Sequence, residues 1–292
     1  MKQESVPAVA RRIGLDPERA RLQSVSGGSI ARAYRLEDGE RTAFVKCLDA
    51  EHADILDAEI HGLRLLSEGA APPVPGVLGA GRTDGAAWLA LEWLELSRPT
   101  PEAWAHFGSS IARMHRRTSD AHGLERDNYI GRTPQPNTRE DDWTTFFFEH
   151  RLRPQLARLA ARREGLSERL LGPLQKTWTQ QFDDHRPEPS LLHGDLWSGN
   201  VGMRSDGEVV VYDPAAHYGD RECDLAMADL FGGVDAGFFA AYEAGWPLEA
   251  GWRERRRWYQ LYHLLNHANL FGGHYLEVSR KLVADLVAAE ST

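Results

Sequence analysis

Hydrophobic positions fall in short alternating runs along the first third of the chain and at helical spacing along the rest. Arg21–Val25 and Ala31–Leu36 flank Ser26-Gly27-Gly28-Ser29, which predicts two strands around a tight turn. Thr42–Leu48 alternates well enough for a third strand, with Lys46 near its end. Asp49 is placed to cap a helix from Ala50 to Ser67, in which Leu56, Ile60, Leu63 and Leu66 share one face. Gly69-Ala-Ala-Pro-Pro-Val-Pro75 ends that helix, and Val77–Ala80 and Ala86–Glu92 predict two further strands. From Pro99 the texture becomes helical. Pro101 begins a helix containing Trp104, Phe107, Ile111 and Met114, and Asp141–Leu159 and Ser167–Phe182 predict two more. Loop-rich sequence from Pro187 to Arg221 is interrupted by one strand, Glu208–Tyr212, before helices resume. The expected architecture is a small β-rich lobe (1–94) followed by a larger helical lobe (95–292), joined near Leu94–Arg98. A cleft between two such lobes is a favoured ligand site.

Composition narrows the classes. The 292 residues carry 34 Lys+Arg against 43 Asp+Glu, a formal charge of −9. That balance disfavours a nucleic-acid binder, which needs cations for phosphates, and docking on an anionic membrane. Two cysteines, Cys47 and Cys223, are too few for a disulfide framework or a four-cysteine zinc site and suggest a reducing compartment. The N-terminal residues lack the apolar segment of a signal peptide, and no run of about 18 apolar residues spans a bilayer. A cytoplasmic protein without membrane or nucleic-acid partners is the expectation. Nine tryptophans are many; packing accounts for most, and ligand pockets often take some of the rest.

The most specific stretch is His193-Gly-Asp-Leu-Trp-Ser-Gly-Asn200, with an Asp and an Asn five residues apart in a short loop. The strand Val209-Val-Val-Tyr-Asp213 then ends in a carboxylate. Three oxygen-bearing side chains around one point suit a hard cation such as Mg²⁺ beside substrate phosphates. The same Asp–x4–Asn spacing occurs in kinase catalytic loops, where the Asp accepts a hydroxyl proton and the Asn holds metal. Lys46 follows Ala43-Phe-Val, and Glu59 lies on the next helix beside its apolar stripe. Paired, they would aim an ammonium at nucleotide phosphates; singly, each also reads as an ordinary surface residue. Gly27 and Gly28, with Ser29, would let backbone N–H groups approach phosphate, although an ordinary hairpin turn explains them equally well. The backbone at Glu92, Trp93 and Leu94 is the candidate for an adenine edge, or simply the end of a buried strand.

Together with Asp127-Asn-Tyr-Ile-Gly131, Thr133-Pro-Gln-Pro-Asn137, Arg151-Leu152, Tyr218-Gly-Asp-Arg-Glu222, Leu230-Phe-Gly-Gly233 and Leu261-Tyr-His-Leu-Leu-Asn-His267, these residues make the chain resemble the fructosamine kinase (ketosamine-3-kinase) family. The resemblance runs from Ser26 to about Tyr275. It implies a bilobal, protein-kinase-like α+β fold and ATP-dependent phosphorylation of the O3 hydroxyl of ketosamines, small or protein-bound, as deglycation repair. By position it makes Asp195 the base, Asn200 and Asp213 the Mg²⁺ ligands, Lys46 and Glu59 the phosphate-orienting pair, and Trp197 the aromatic against the sugar. Ser29 stands where many relatives carry Cys, so no thiol switch is expected there. A ketosamine's cationic amine could meet Asp220, Glu222 or Asp224; the other reading makes Asp220-Arg221-Glu222 a self-paired loop and Asp224 a helix cap. His263 and His267 are four apart but lack a third ligand, so an ordinary packed helix is preferred. A choline- or aminoglycoside-type kinase and an inactive nucleotide-binding scaffold are the competing readings. The expected assembly is a monomer or weak homodimer.

Overall fold

The computed structural model describes residues 2–25, 31–69, 72–83, 85–162 and 171–288. The N-terminal part is a five-stranded antiparallel sheet: β1 (Arg21–Ser24), β2 (Arg32–Glu37), β3 (Thr42–Asp49), β4 (Val77–Thr83) and β5 (Ala86–Glu92), in the order β1-β2-β3-β5-β4. Both faces of β3 are covered. Ala43, Val45 and Cys47 join Val6, Val9 and Ala10 of helix α1 (Val6–Arg12), which sequence periodicity did not reveal. Phe44 and Leu48 face the opposite way, against Leu56, Ile60 and Leu63 of helix α2 (Ala53–Ser67). The two-residue period of a strand puts Lys46 on this second face, opposite Leu89 of β5. An apolar strand with one lysine on its helix-covered side therefore dictates that the ammonium be buried and paired.

Helix α3 (Pro101–His115) opens the helical part; Thr100 Oγ1 accepts the Ala103 N–H at 3.2 Å and Pro101 occupies the first turn. A small hairpin, β6 (Asn128–Ile130) and β7 (Thr133–Gln135), follows. The helix expected over Asp141–Leu159 is divided: α4 (Trp143–Phe147), a π-helical turn (Phe148–Leu152) and α5 (Arg153–Ala161). Pro154 lacks the N–H that an unbroken helix would need there, so the chain restarts at α5. Helix α6 is described over Leu171–Gln181, and the start expected at Ser167 lies outside the described residues. Two antiparallel ribbons follow: β8 (Ser190–Leu192) with β11 (His217–Gly219), and β9 (Val201–Met203) with β10 (Val209–Val211). Helices α7 (Glu222–Leu230), α8 (Ala236–Gly245), α9 (Trp252–Phe271) and α10 (His274–Ala288) complete the chain. Among the described residues no helix is long and apolar enough to cross a membrane.

Of the nine tryptophans, Trp88, Trp104, Trp143, Trp178 and Trp258 are buried in cores, whereas Trp93 and Trp197 line the large cavity described below. Trp178 stacks on Phe182 at 3.7 Å between ring centres and donates its indole N–H to the Thr144 carbonyl at 2.8 Å. Trp178→Ala empties the centre of the α4–α6–α9 core and is expected to cost about 3–5 kcal/mol of unfolding free energy. Chemical denaturation with an unchanged slope checks this, and a loss below about 1 kcal/mol would place the core elsewhere.

Candidate active site

The loop that carries the most specific motif hangs between the two ribbons. β8 ends at Leu192, the loop runs from His193 to Asn200, β9 leads away, and β10 returns the chain to Asp213. Gly194 holds φ +80°, and a Cβ there would lie 2.2 Å from the Ala215 carbonyl oxygen, so only glycine fits. Asp224 at the start of α7 accepts the backbone N–H of His193 at 2.7 Å and of Gly194 at 2.8 Å. Burial alone would raise the Asp224 carboxyl, but the hydrogen bond and charge of His115, with these backbone donors, hold it below the ordinary carboxylate range. His193 is buried and its burial lowers its proton affinity. Its Nε2 lies 3.1 Å from the Tyr212 carbonyl and its Nδ1 accepts the Asp195 N–H at 3.3 Å, which assigns the neutral Nε2–H tautomer.

Asn200 Nδ2 donates to both the backbone oxygen and Oδ2 of Asp195, each at 2.9 Å. With its nitrogen committed, the oxygen is the end of the amide available to a ligand. Burial pushes the Asp195 carboxyl up to about 7; the Asn200 hydrogen bond opposes this, and the charges of Asp213 and Asp224 add to it. Asp213 is the one non-glycine residue with positive φ (59°) among the described residues, directly before Pro214. A non-glycine residue in the left-handed region is strained by about 1–3 kcal/mol, and in this conformation the Asp213 carboxylate meets Lys46.

Lys46 Nζ donates to Glu59 at 2.7 Å and also to Asp213 Oδ1. Burial would lower its proton affinity, but the two carboxylates in contact outweigh burial and hold the ammonium above its ordinary range. Glu92 closes the far side: its N–H donates to the Gly76 carbonyl at 2.7 Å and its carboxylate accepts the Gly76 N–H at 3.2 Å.

Lys46, Glu59, Glu92, Trp93, Leu94, Asp195, Trp197, Asn200 and Asp213 all line one cavity of about 620 Å³. Gly27, Gly28 and Ser29 lie outside the described residues. Three acids do not join the cavity, and the expectation that they meet a substrate amine is corrected. Asp220, Glu222 and Asp224 are 1%, 2% and 1% exposed, and each is already engaged. Asp220 pairs with His185 at 2.7 Å and accepts the Tyr259 hydroxyl; Glu222 is bound twice by Arg255, at 2.6 and 2.8 Å; Asp224 holds the loop backbone. A charge-rich string reads as solvated, but this one feeds the buried face of α7.

Further cavity residues are Tyr129, Tyr212, Asn266 and His267, which the sequence offered only within quoted motifs and without a site role, and Leu270 and Phe271 on the last turns of α9, which it did not single out. His267 Nδ1 donates to the His263 carbonyl at 2.9 Å, leaving Nε2 as an acceptor. The sequence read His263 and His267 as ordinary residues of a packed helix; the second of them belongs to the cavity wall. The donor set fits a hard cation, since the Asn200 amide oxygen and the half-exposed Asp213 carboxylate are both oxygen ligands at one end of the cavity.

Antiparallel sheet, covering helix, lysine–glutamate pair and ribbon-held loop together make a protein-kinase-like α+β fold. An aminoglycoside phosphotransferase solved with AMP-PNP and hygromycin B shares it at TM-score 0.64 and 17% identity, over 98% of this chain and 99% of that one. Similarity is much higher to a structure assigned as a fructosamine-3-kinase from Haemophilus somnus (TM-score 0.88, 30% identity, 96% of each chain). Among sequences, a probable ketoamine kinase of Synechocystis is 43% identical over 89% of this chain and 88% of its own length. One from Vibrio parahaemolyticus is 40% identical over 93% of each. The fructosamine kinase family profile spans residues 1–289, and the chain belongs to that family.

The raised Asp195 carboxyl has a consequence for stability. Between the ordinary value of 3.8 and about 7, the folded chain keeps a proton that the unfolded chain has released. Folding stability therefore falls as pH rises through that window. Asp195→Asn, which keeps an acceptor for Asn200, is expected to melt several degrees above the parent at pH 8, with the two converging near pH 4. Thermal unfolding between these pH values checks it; a constant difference would show that the carboxyl is not raised.

Proposed function

We propose that the protein is an ATP-dependent kinase that phosphorylates the O3 hydroxyl of ketosamines, the sugar–amine adducts of glycation. Such a phosphate makes the adduct labile, so the activity is one of deglycation. The observation that carries the reading is the convergence of Lys46, Asp195, Asn200 and Asp213 with Trp197 on one cavity, in a chain whose curated relatives bear ketoamine kinase names. Residues 1–94 would form the nucleotide-binding lobe and 95–292 the catalytic and substrate-binding lobe. Two buried free cysteines and a need for ATP suit the cytoplasm.

In this reading adenine lies against Ala33, Phe44 and Leu91, with Trp93 and Leu94 at its edge. The Glu92 N–H is already spent on Gly76, so the edge contacts fall to the backbone of the two residues after it. Lys46, seated by Glu59, exchanges its contact with Asp213 for the nucleotide phosphates. Asn200 and Asp213 would hold Mg²⁺, which supplies charge neutralisation on the phosphate oxygens. Asp195 orients the sugar O3 hydroxyl toward the γ-phosphorus and takes its proton as the new P–O bond forms and the bond to the departing ADP breaks. A carboxyl near 7 in the free protein is half-ionised at neutral pH, which suits an acceptor that must give the proton up again. The Trp197 ring, braced edge-on by Phe231 at 5.8 Å, offers a flat face to sugar C–H groups. The amine-bearing half then extends along Asn266, His267, Leu270 and Phe271.

ADP release with three- to six-carbon ketosamines, run beside choline and kanamycin, tests the reading. Turnover is expected on ketosamines alone, and turnover confined to choline or kanamycin refutes it. Asp195→Asn should lose about 10³-fold or more in kcat while keeping nucleotide affinity within about threefold. Trp197→Ala should raise the ketosamine KM about tenfold and leave the ATP KM nearly unchanged; equal changes in both would remove the stacking role.

A further inference from the structure

Helix α2 carries Glu59 at its middle and is tied to the helical part of the protein along its length. At its first turn, Asp54 accepts the hydroxyl of Tyr129 from β6. At its centre, Gly62 lets the helix sit directly on Pro214 and Ala216, where a Cβ would be 3.0 Å from the proline ring. At its end, Arg117, just past α3, donates to the carbonyls of Leu65 at 2.9 Å and Glu68 at 2.6 Å. These carbonyls belong to the last turn, where no helical donor remains.

The hairpin bearing Tyr129 is itself rigidly seated. Asn128 Nδ2 donates to the Ala216 carbonyl at 2.8 Å, and Gln135 Nε2 reaches Asn128 Oδ1 at 2.8 Å and the Ala215 carbonyl at 3.2 Å. It is thereby fixed to the segment just beyond Asp213, and its tip reaches α2.

We propose that Tyr129 and Arg117 are positioning residues for phosphoryl transfer: they pin the two ends of α2 and so hold Glu59 where it seats Lys46. The inference rests on the reading that Lys46 takes the nucleotide phosphates. Lys46 lies between two carboxylates, Glu59 and Asp213, that compete for it. A displaced α2 leaves the ammonium to Asp213 alone, away from the phosphates. Each end contact is a small set of charge-assisted hydrogen bonds outside the helix's own ladder, so its loss shifts a population and does not unfold the helix. The Asp54 hydrogen bond also raises the Tyr129 phenol to about 12, so the contact persists across the neutral range.

Tyr129 also lines the cavity, and Asp54 does not, which separates a strut from a substrate contact. Tyr129→Phe and Asp54→Ala are each expected to lower kcat about 5–20-fold and raise the nucleotide KM, leaving the ketosamine KM within twofold. The double variant should be no worse than the weaker single one, because both remove one contact. Arg117→Ala should act in the same direction, with Arg117→Lys recovering part of the loss. Hydrogen exchange of amides 53–67 should quicken in each variant relative to the parent. A rise in ketosamine KM for Tyr129→Phe with a parent-like Asp54→Ala would make Tyr129 a substrate contact and overturn the proposal, as would unchanged kinetics in all variants. If the parent binds no fluorescent ATP analogue, the functional reading fails instead, and the exchange rates still decide whether these contacts pin α2.

Discussion

The carboxylate of Asp224 is the contact on which the site is built. It sits in the core and neutralises no substrate; it takes two successive backbone N–H groups, those of His193 and Gly194. A buried carboxylate costs several kcal/mol unless hydrogen-bonded, so its own need for donors becomes the force that fixes the loop. His115 completes its partners, and Tyr242 holds the other ring nitrogen of His115 at 2.8 Å. From this anchor follow the left-handed Gly194, the neutral His193 against the Tyr212 carbonyl, and the height at which Asp195 and Asn200 enter the cavity. A loop of irregular backbone is thereby held in one place without the ladder of a sheet or a helix.

What the sequence disclosed was what is local in the chain. The Asp195–Asn200 spacing, the carboxylate at the end of a valine run and the lysine on an apolar strand are short patterns whose chemistry survives without coordinates. Glu59 was legible for a similar reason, since an acid beside a helical apolar stripe has few places to point. The parts of His115, Leu270 and Phe271 were not, and Tyr129, Asn266 and His267 stood only in motifs without a role, because each reaches the site through tertiary packing between distant segments. The acids at 220, 222 and 224 mark the clearest limit. Nothing in a string of charges says which way it faces; the partners that bury it, His185, Arg255 and His115, lie 35, 33 and 109 residues away respectively. The divided helix over 143–161 has a similar origin, because apolar spacing continues through Pro154 while the backbone hydrogen bonds cannot.

Two of the segments that carry the resemblance to the family lie apart from the loop that holds Asp195 and Asn200. Asp127–Gly131 and Thr133–Asn137 form the β6–β7 hairpin and its exit, held by amide side chains that also receive Arg151 on Asn137 at 2.7 Å and Tyr262 on Gln135 at 2.6 Å.

The charges around Lys46 make the cavity electrostatically unwelcoming to a bare polyanion. One ammonium faces Glu59 and Asp213, with Asp195 half-ionised at neutrality, inside a chain that is itself at −9. A bare triphosphate would meet net repulsion, at short range and through the surrounding field. A polyphosphate entering this cavity would therefore need counter-charge to enter with it, so its capture would follow the supply of multivalent cations far more than monovalent salt.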